Sequence, residues 1–301
     1  MISTAVRFPL YIFNPRNSAS LRLRYSSFCH YRLSRRRIPG LAPRPEADFA
    51  YLTLTCRQDI LMTQLSLKSL WRTAHRLPSL AVAHDETLAG AEVLQSLSFW
   101  PGPVGCIDRA GTAAFHERNG APFLAEFCRR HVFGFKLAAC LRLAAEHRVF
   151  YADSDVLWLH DIGALMSRCG QKPLYAAVDC GPSYDFELAG RLGEARRNRL
   201  LTPPHINAGV ALFNRALPEL NTYDADLASL LANGPISQFS EQTLVALLVQ
   251  DIGGTFGEED VRVTEDRLTA PSPSFRHHPW IARHYISPVR AQYWIDAMAA
   301  A

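Results

Sequence analysis

Lysine is nearly missing from this chain of 301 residues: Lys68, Lys136 and Lys172 are the only three among 32 basic side chains. Acid is missing from residues 1–45, which hold nine arginines and no Asp or Glu. The formal net charge of +4 therefore describes neither part of the chain, because residues 46–301 are left with 23 basic against 28 acidic groups. Positive charge confined to one terminal segment is not a basic folded face, so nucleic acid is not the expected partner. Long apolar runs are missing too. Pieces such as 245–249 fall far short of the ~18–20 residues that a spanning helix needs, so no transmembrane segment is expected. No CxxC pair occurs among the seven cysteines, and their odd count argues against a disulfide framework or a zinc site. Reduced, mostly buried thiols in a reducing compartment follow, and with them a cytoplasmic location. What is present is 48% hydrophobic residues, enough for a sizeable core in one or two domains, which excludes general disorder and collagen-like classes.

Residues 1–45 mix Arg and Ser with scattered aromatics and close on Arg35-Arg36-Arg37-Ile38-Pro39-Gly40. This reads as a basic, disordered extension with no catalytic part. Its composition also permits an organellar transit peptide, a membrane-surface arm or an overextended start. From Phe49 the texture changes, and 46–301 reads as one folded domain. Alternation predicts strands over 49–55, 80–83, 104–107 and 149–152. Helical spacing marks 60–71, 88–99 and 123–145, the last interrupted near Gly134. Strands alternating with helices define an α/β domain with a mainly parallel sheet, whose ligands lie beyond the carboxyl ends of the strands.

At one such end, Val149-Phe150-Tyr151-Ala152-Asp153-Ser154-Asp155 sets two carboxylates two residues apart. The period of two turns both to one side. Like charges held so close call for a cation between them, and carboxylate oxygens suit Mg²⁺ or Mn²⁺, whose open positions substrate phosphates can fill. A calcium loop is excluded because Leu157 occupies the next ligand position and no glycine follows.

Three further segments, taken with that acidic pair, resemble a known family. His205-Ile206-Asn207-Ala208-Gly209-Val210 is similar to the Asn-Ala-Gly-Val strand of GT-A fold glycosyltransferases, especially the glycogenin and lipopolysaccharide galactosyltransferase-like family. Glu241-Gln242 resembles the family's Asp-Gln pair. His284-Tyr285-Ile286-Ser287-Pro288-Val289-Arg290 resembles its His-x-x-Gly-x-x-Lys element, with Ser287 for Gly and Arg290 for Lys. The order of the four motifs, over about residues 51–294, carries the resemblance.

The resemblance implies a GT-A, nucleotide-diphospho-sugar transferase fold with one Rossmann-like, mainly parallel mixed sheet flanked by helices. It implies that Asp153, Asp155 and His284 hold Mn²⁺ or Mg²⁺, with Asp153 also near the ribose; His277 and His278 are rival ligands. Lys136 and Arg290 would stabilise the departing diphosphate. Asn207 and Gly209 would lie against the donor sugar, and Glu241 and Gln242 beneath it. Thr55, Cys56 and Arg57, in the loop after the first strand, would meet the base and ribose, although that loop lacks the family's acidic residues. The implied activity is transfer of a sugar from a nucleotide diphosphate sugar, a UDP-sugar, to a glycan, lipid or protein acceptor with retention of configuration. Two readings compete: a catalytically silent GT-A domain used for binding, and a haloacid dehalogenase-type phosphatase, which also carries Asp-x-Asp after a strand.

Overall fold

The computed structural model describes residues 18–191, 193–215, 227, 228, 231, 236–263, 279–286 and 290–300. The rival ligands His277 and His278, and Ser287, lie outside them.

A seven-stranded sheet forms the centre. Its strands are β1 (Glu46–Thr55), β2 (Leu77–His84), β3 (Val104–Ile107), β4 (Val149–Ala152), β6 (Leu174–Asp179), β7 (His205–Phe213) and β8 (Gly254–Phe256), in the order β3-β2-β1-β4-β7-β6-β8. Only β7 runs against its neighbours: β4 and β6 both pair with it antiparallel, and the other pairings are parallel. The expected mainly parallel mixed sheet is what forms. β4, with the sequence Val-Phe-Tyr-Ala, is buried at every residue, as a central strand covered on both faces must be. Its neighbour β1 shares that fate: Tyr51 and Phe150 stack at 6.3 Å on one face, while Leu52 and Tyr151 enter the core of the other.

A second, small sheet was not legible in advance. β5 (Val156–Trp158) pairs antiparallel with β10 (Ala282–His284), which pairs parallel with β9 (Val261–Val263). The register places His284 opposite Val156, the residue after Asp155.

The helical stretch expected over 123–145 divides into Pro122–Arg130 and Val132–Ala144. The break falls at His131, three residues before Gly134. His131 has extended backbone, and its Nδ1 accepts a hydrogen bond from the Phe133 N–H, capping the second helix. Gly134 has a different task. A Cβ there would overlap the carbonyl oxygen of Phe127, so its absence lets the two helices close on each other.

The acid-free arm is also more ordered than its composition suggested. Helix α1 (Ser18–Ser34) packs Cys29 and Leu33 inward, Leu33 against the cluster of Met62, Leu65, Leu157, Tyr285, Tyr293 and Ala297. The edge of the His30 ring meets Trp294 at 4.4 Å. Beyond α1, Leu41 donates its N–H to Phe99 O at 2.9 Å, and the Trp71 indole donates to Ala42 O at 2.9 Å. The expected disorder therefore does not extend to residues 18–45: two apolar residues four apart, Cys29 and Leu33, suffice to dock one face of the helix on the body. Among the described residues no helix is long and apolar enough to cross a membrane.

Candidate active site

Asp153 and Asp155 emerge where β4 ends, and two backbone bonds fix their height. The Asp153 N–H donates to Gly209 O at 2.8 Å, which ties the turn to β7, and the Tyr285 N–H donates to Asp155 O at 3.1 Å, which ties it to the segment after β10. His284 is thereby carried to the carboxylates: Nε2 stands 3.2 Å from Asp155 Oδ1 and 3.7 Å from Asp153 Oδ2. One ligand atom from each of the three residues lies within 4.8 Å of the others.

This cluster fits a divalent cation on two observations besides its chemistry. His284 Nδ1 is buried with no hydrogen-bond partner, and Asp155 Oδ1 is buried with only the imidazole Nε2 facing it at 3.2 Å, an expensive state for polar atoms unless something else meets them. Beside them lies a cradle that any side chain on residue 209 would fill: a Cβ there would overlap His284 Cε1 and stand 2.6 Å from Asp153 Oδ2. Two carboxylates and an imidazole suit Mn²⁺, and also Mg²⁺, better than a purely soft-ligand metal.

Cations of the protein itself brace the acids. Lys136, on Val132–Ala144, is 4% exposed and places Nζ 3.4 Å from Asp153 Oδ1 and 3.5 Å from Glu241 Oε2. Its ammonium also lies 4.7 Å from the ring centre of Tyr151, whose hydroxyl donates to Asp153 Oδ1. Burial works against the lysine's charge, but Asp153 and Glu241 outweigh it, so its pKa is raised and the ammonium persists. The same burial pushes Glu241 up to about 7; Lys136 pulls it down and Asp153 pushes it further up. For His284, burial opposes protonation while Asp155 and Asp153 favour it, with a net rise. In Asp155, burial is outweighed by His284 and Arg290, and its pKa falls.

Arg290 donates from Nε to Asp155 Oδ2 at 2.9 Å, and its Nη1 lies 4.0 Å from Asp59. It therefore sits at the site, engaged with a carboxylate. Asp59 escaped the sequence reading, which took the loop after β1 to lack acid. It follows Cys56 by one turn, with its N–H bonded to Cys56 O at 3.1 Å, and burial raises its pKa against the pull of Arg290. In the same loop Thr55 is buried, its hydroxyl 2.8 Å from that of Thr63. Cys56 is half-buried with a raised pKa. Arg57 turns to Thr87 and Glu92 on the surface, 3.0 Å from each carboxylate oxygen of Glu92.

Asn207 and Gln242 meet at a residue the motifs did not name. Asp179, at the end of β6, accepts through Oδ2 from Asn207 Nδ2 at 3.0 Å and from Gln242 Nε2 at 3.1 Å. Gln242 also donates to Ser183 O and accepts from the Ala208 N–H, while Asn207 Oδ1 accepts from the Gly209 N–H at 2.8 Å. The two amides thus frame Gly209. An acid closing a buried strand before Cys180-Gly181-Pro182 is the same signal that marked Asp153, and it could have identified Asp179. A separate cleft of about 630 Å³, lined by Lys172, Arg199 and Gln250, lies toward the far end of Ser240–Ile252 and shares none of these groups.

No protein-family model matches the chain, and no curated protein matches it in sequence at a significant level. In structure it is similar to mouse xyloside xylosyltransferase 1 in its apo form, with a TM-score of 0.55 at 16% identity, over 81% of this chain and 99% of that one. It is similar to the galactosyltransferase LgtC, solved with donor and acceptor sugar analogs, with a TM-score of 0.52 at 15% identity, over 83% and 95%. Against the bifunctional glycosyltransferase WbbM the TM-score is 0.59 at 16% identity; there 86% of this chain covers 51% of the other, about half its length. The chain has the GT-A fold, as the motifs implied.

Proposed function

We propose that the protein is a divalent-metal-dependent glycosyltransferase that moves a sugar from a nucleotide diphosphate sugar, of the UDP-sugar class, to an acceptor hydroxyl with retention of configuration. The observation that carries this reading is the convergence of His284 on Asp153 and Asp155 from a segment about 130 residues away, with Lys136 and Glu241 within hydrogen-bonding range of one another beside them. A bound Mn²⁺ or Mg²⁺ would supply charge neutralisation for a diphosphate.

The chain's own groups do the rest. Lys136 and Arg290 are permanent cations at the site, and they stabilise negative charge as it grows on the leaving diphosphate. Arg290 can turn its planar fork from Asp155 toward phosphate oxygens. Glu241, buried beside Lys136, lies where it can accept from a sugar hydroxyl. Asn207 and Gln242, spent on Asp179, also bond the N–H groups of Gly209 and Ala208 where β7 departs from register with β6, and the absent side chain at Gly209 lets the donor approach the strand closely. Retention follows when the acceptor oxygen bonds the anomeric carbon from the face that the diphosphate leaves, the carbon–phosphate-oxygen bond breaking as the acceptor proton passes to that departing oxygen, which fits a site where Asp153 and Asp155 already face cationic groups.

A panel of nucleotide sugars, assayed for donor hydrolysis with and without Mn²⁺, tests the reading. Metal-dependent release of nucleotide from one donor is expected. Absence of turnover together with absence of metal-dependent nucleotide binding would leave the silent-domain alternative in its place.

A further inference from the structure

The outward face of α1 combines three features that a free-standing surface helix does not need. Tyr25, Phe28 and Tyr31 recur at intervals of three and fall within an arc of roughly 120° on a helix turning ~100° per residue. They are 37%, 42% and 50% exposed, and Leu23 nearby is 53% exposed. The rings of Tyr25 and Phe28 stack at 6.3 Å, so they form a patch and not scattered contacts. Arg24 and Arg32 project within the same arc, Arg35 follows the helix, all three are exposed, and the Arg35 guanidinium covers the Tyr31 ring at 4.5 Å. No acidic side chain occurs anywhere in 18–45.

The positive surface continues past the helix. Arg36 and Arg72 both bear on Lys68 of Ile60–Thr73, whose pKa is lowered first by burial and then by these two arginines. Like charges gathered on two adjoining elements repel one another, and an external anionic surface would relieve that repulsion. The opposite face of α1 is already taken, because Ser26, Cys29 and Leu33 are buried in the body of the protein.

We propose that this face of α1 docks on an anionic lipid bilayer, with the arginines at the headgroups and Phe28, Tyr31 and Leu23 entering the interface. Exposed apolar rings on a convex helix interleaved with arginine suit the headgroup–acyl boundary, where amphipathic rings and cations both find partners. A nucleic-acid strand would be served by a groove tracking the backbone, and a convex ridge bearing Leu23 does not provide one. This inference is independent of the glycosyltransferase reading, because vesicle binding requires no donor.

The test is co-sedimentation of the full chain with vesicles of phosphatidylcholine plus phosphatidylglycerol, against vesicles of phosphatidylcholine alone. Binding to the anionic vesicles only is expected, fading toward about 0.5 M salt as screening shortens to a few Å. R32E/R35E/R36E should weaken it by about a hundredfold or more, since each cation near an anionic surface is worth about fivefold. F28S/Y31S should weaken it about tenfold while leaving the salt dependence in place. Failure to bind anionic vesicles at low salt would overturn the proposal. So would binding indifferent to both sets of substitutions, or tighter binding to single-stranded RNA that survives F28S/Y31S. Should a variant not fold, the lipid and salt dependence of the unaltered chain decides the question.

Discussion

Gly209 and His284 are packed so closely that a methyl group could not stand between them. A Cβ on residue 209 would overlap His284 Cε1 and lie 2.8 Å from its Nδ1. Gly209→Ala is expected to push His284 and Asp153 apart and to lower Mn²⁺ affinity about 10–100-fold, as displaced ligands do. Calorimetric titration with MnCl₂ measures this. Undiminished affinity would place the cation elsewhere.

Removing the metal should matter for stability as well as for turnover. Adding Mn²⁺ at about 100 times its Kd should stabilise the fold by about 2.7 kcal/mol, because only the folded chain brings the three ligands together. Chelation should return the melting temperature to its starting value. In His284→Ala and Asp155→Asn the shift should vanish; a shift of the same size in both would assign it to some other ion site.

Asp179→Ala removes the shared acceptor of two amides and leaves Asn207 Nδ2 unpartnered in a buried setting. A loss of about 2–4 kcal/mol in urea denaturation is expected from the stranded groups. Asp179→Asn, whose amide oxygen can still meet both donors but whose NH₂ cannot accept from the Cys180 N–H as Asp179 Oδ1 does, should fall in between. Equal stability of all three proteins would contradict the framing role.

Glu241 should give the metal-free protein a distinctive pH profile. Folding raises its pKa from the ordinary 4.5 to about 7. Between those values the folded chain keeps a proton that the unfolded chain has released. Its contribution is thus fully present below pH 4.5 and lost as pH rises toward 7. Comparing the unfolding free energy of the native protein with that of Glu241→Gln across this interval should show a difference of a few kcal/mol, at about 1.4 kcal/mol per unit. Parallel profiles would show an ordinary carboxylate. Lys136→Met, which removes the opposing cation, should move the titration higher still.

Local order made part of this site legible. Asp153 and Asp155 stand two apart at the end of a hydrophobic strand, and that spacing alone set them on one side. His284 and Arg290 were recognisable only through their spacing and their likeness to a family element, since nothing local to 284 announces a partner at 155. Asp179 and Tyr151 went unnamed because their work lies in contacts across sequence: Asp179 meets a residue 28 positions away and another 63 away. Asp59 was passed over because a single acid after a strand resembles an ordinary helix N-cap. The small sheet escaped for a similar reason, since three-residue strands carry too little alternation to register. In α1 the burial of Leu33 depends on Tyr293 and Ala297, more than 250 residues away, so arginine content outweighs it in the sequence.

The three-residue ladder of β5 and β10 has one more consequence. Side chains along a strand alternate faces, so slipping that ladder by one residue would exchange His284 for Arg283 or Tyr285 opposite Val156. Arg283 is a cation, and it is anchored at 3.1 Å to Asp296 on the final helix. That anchor penalises the slip as surely as the ladder's own hydrogen bonds do. The position of His284 beside Asp153 and Asp155 is therefore guarded by an ion pair that never touches the three of them.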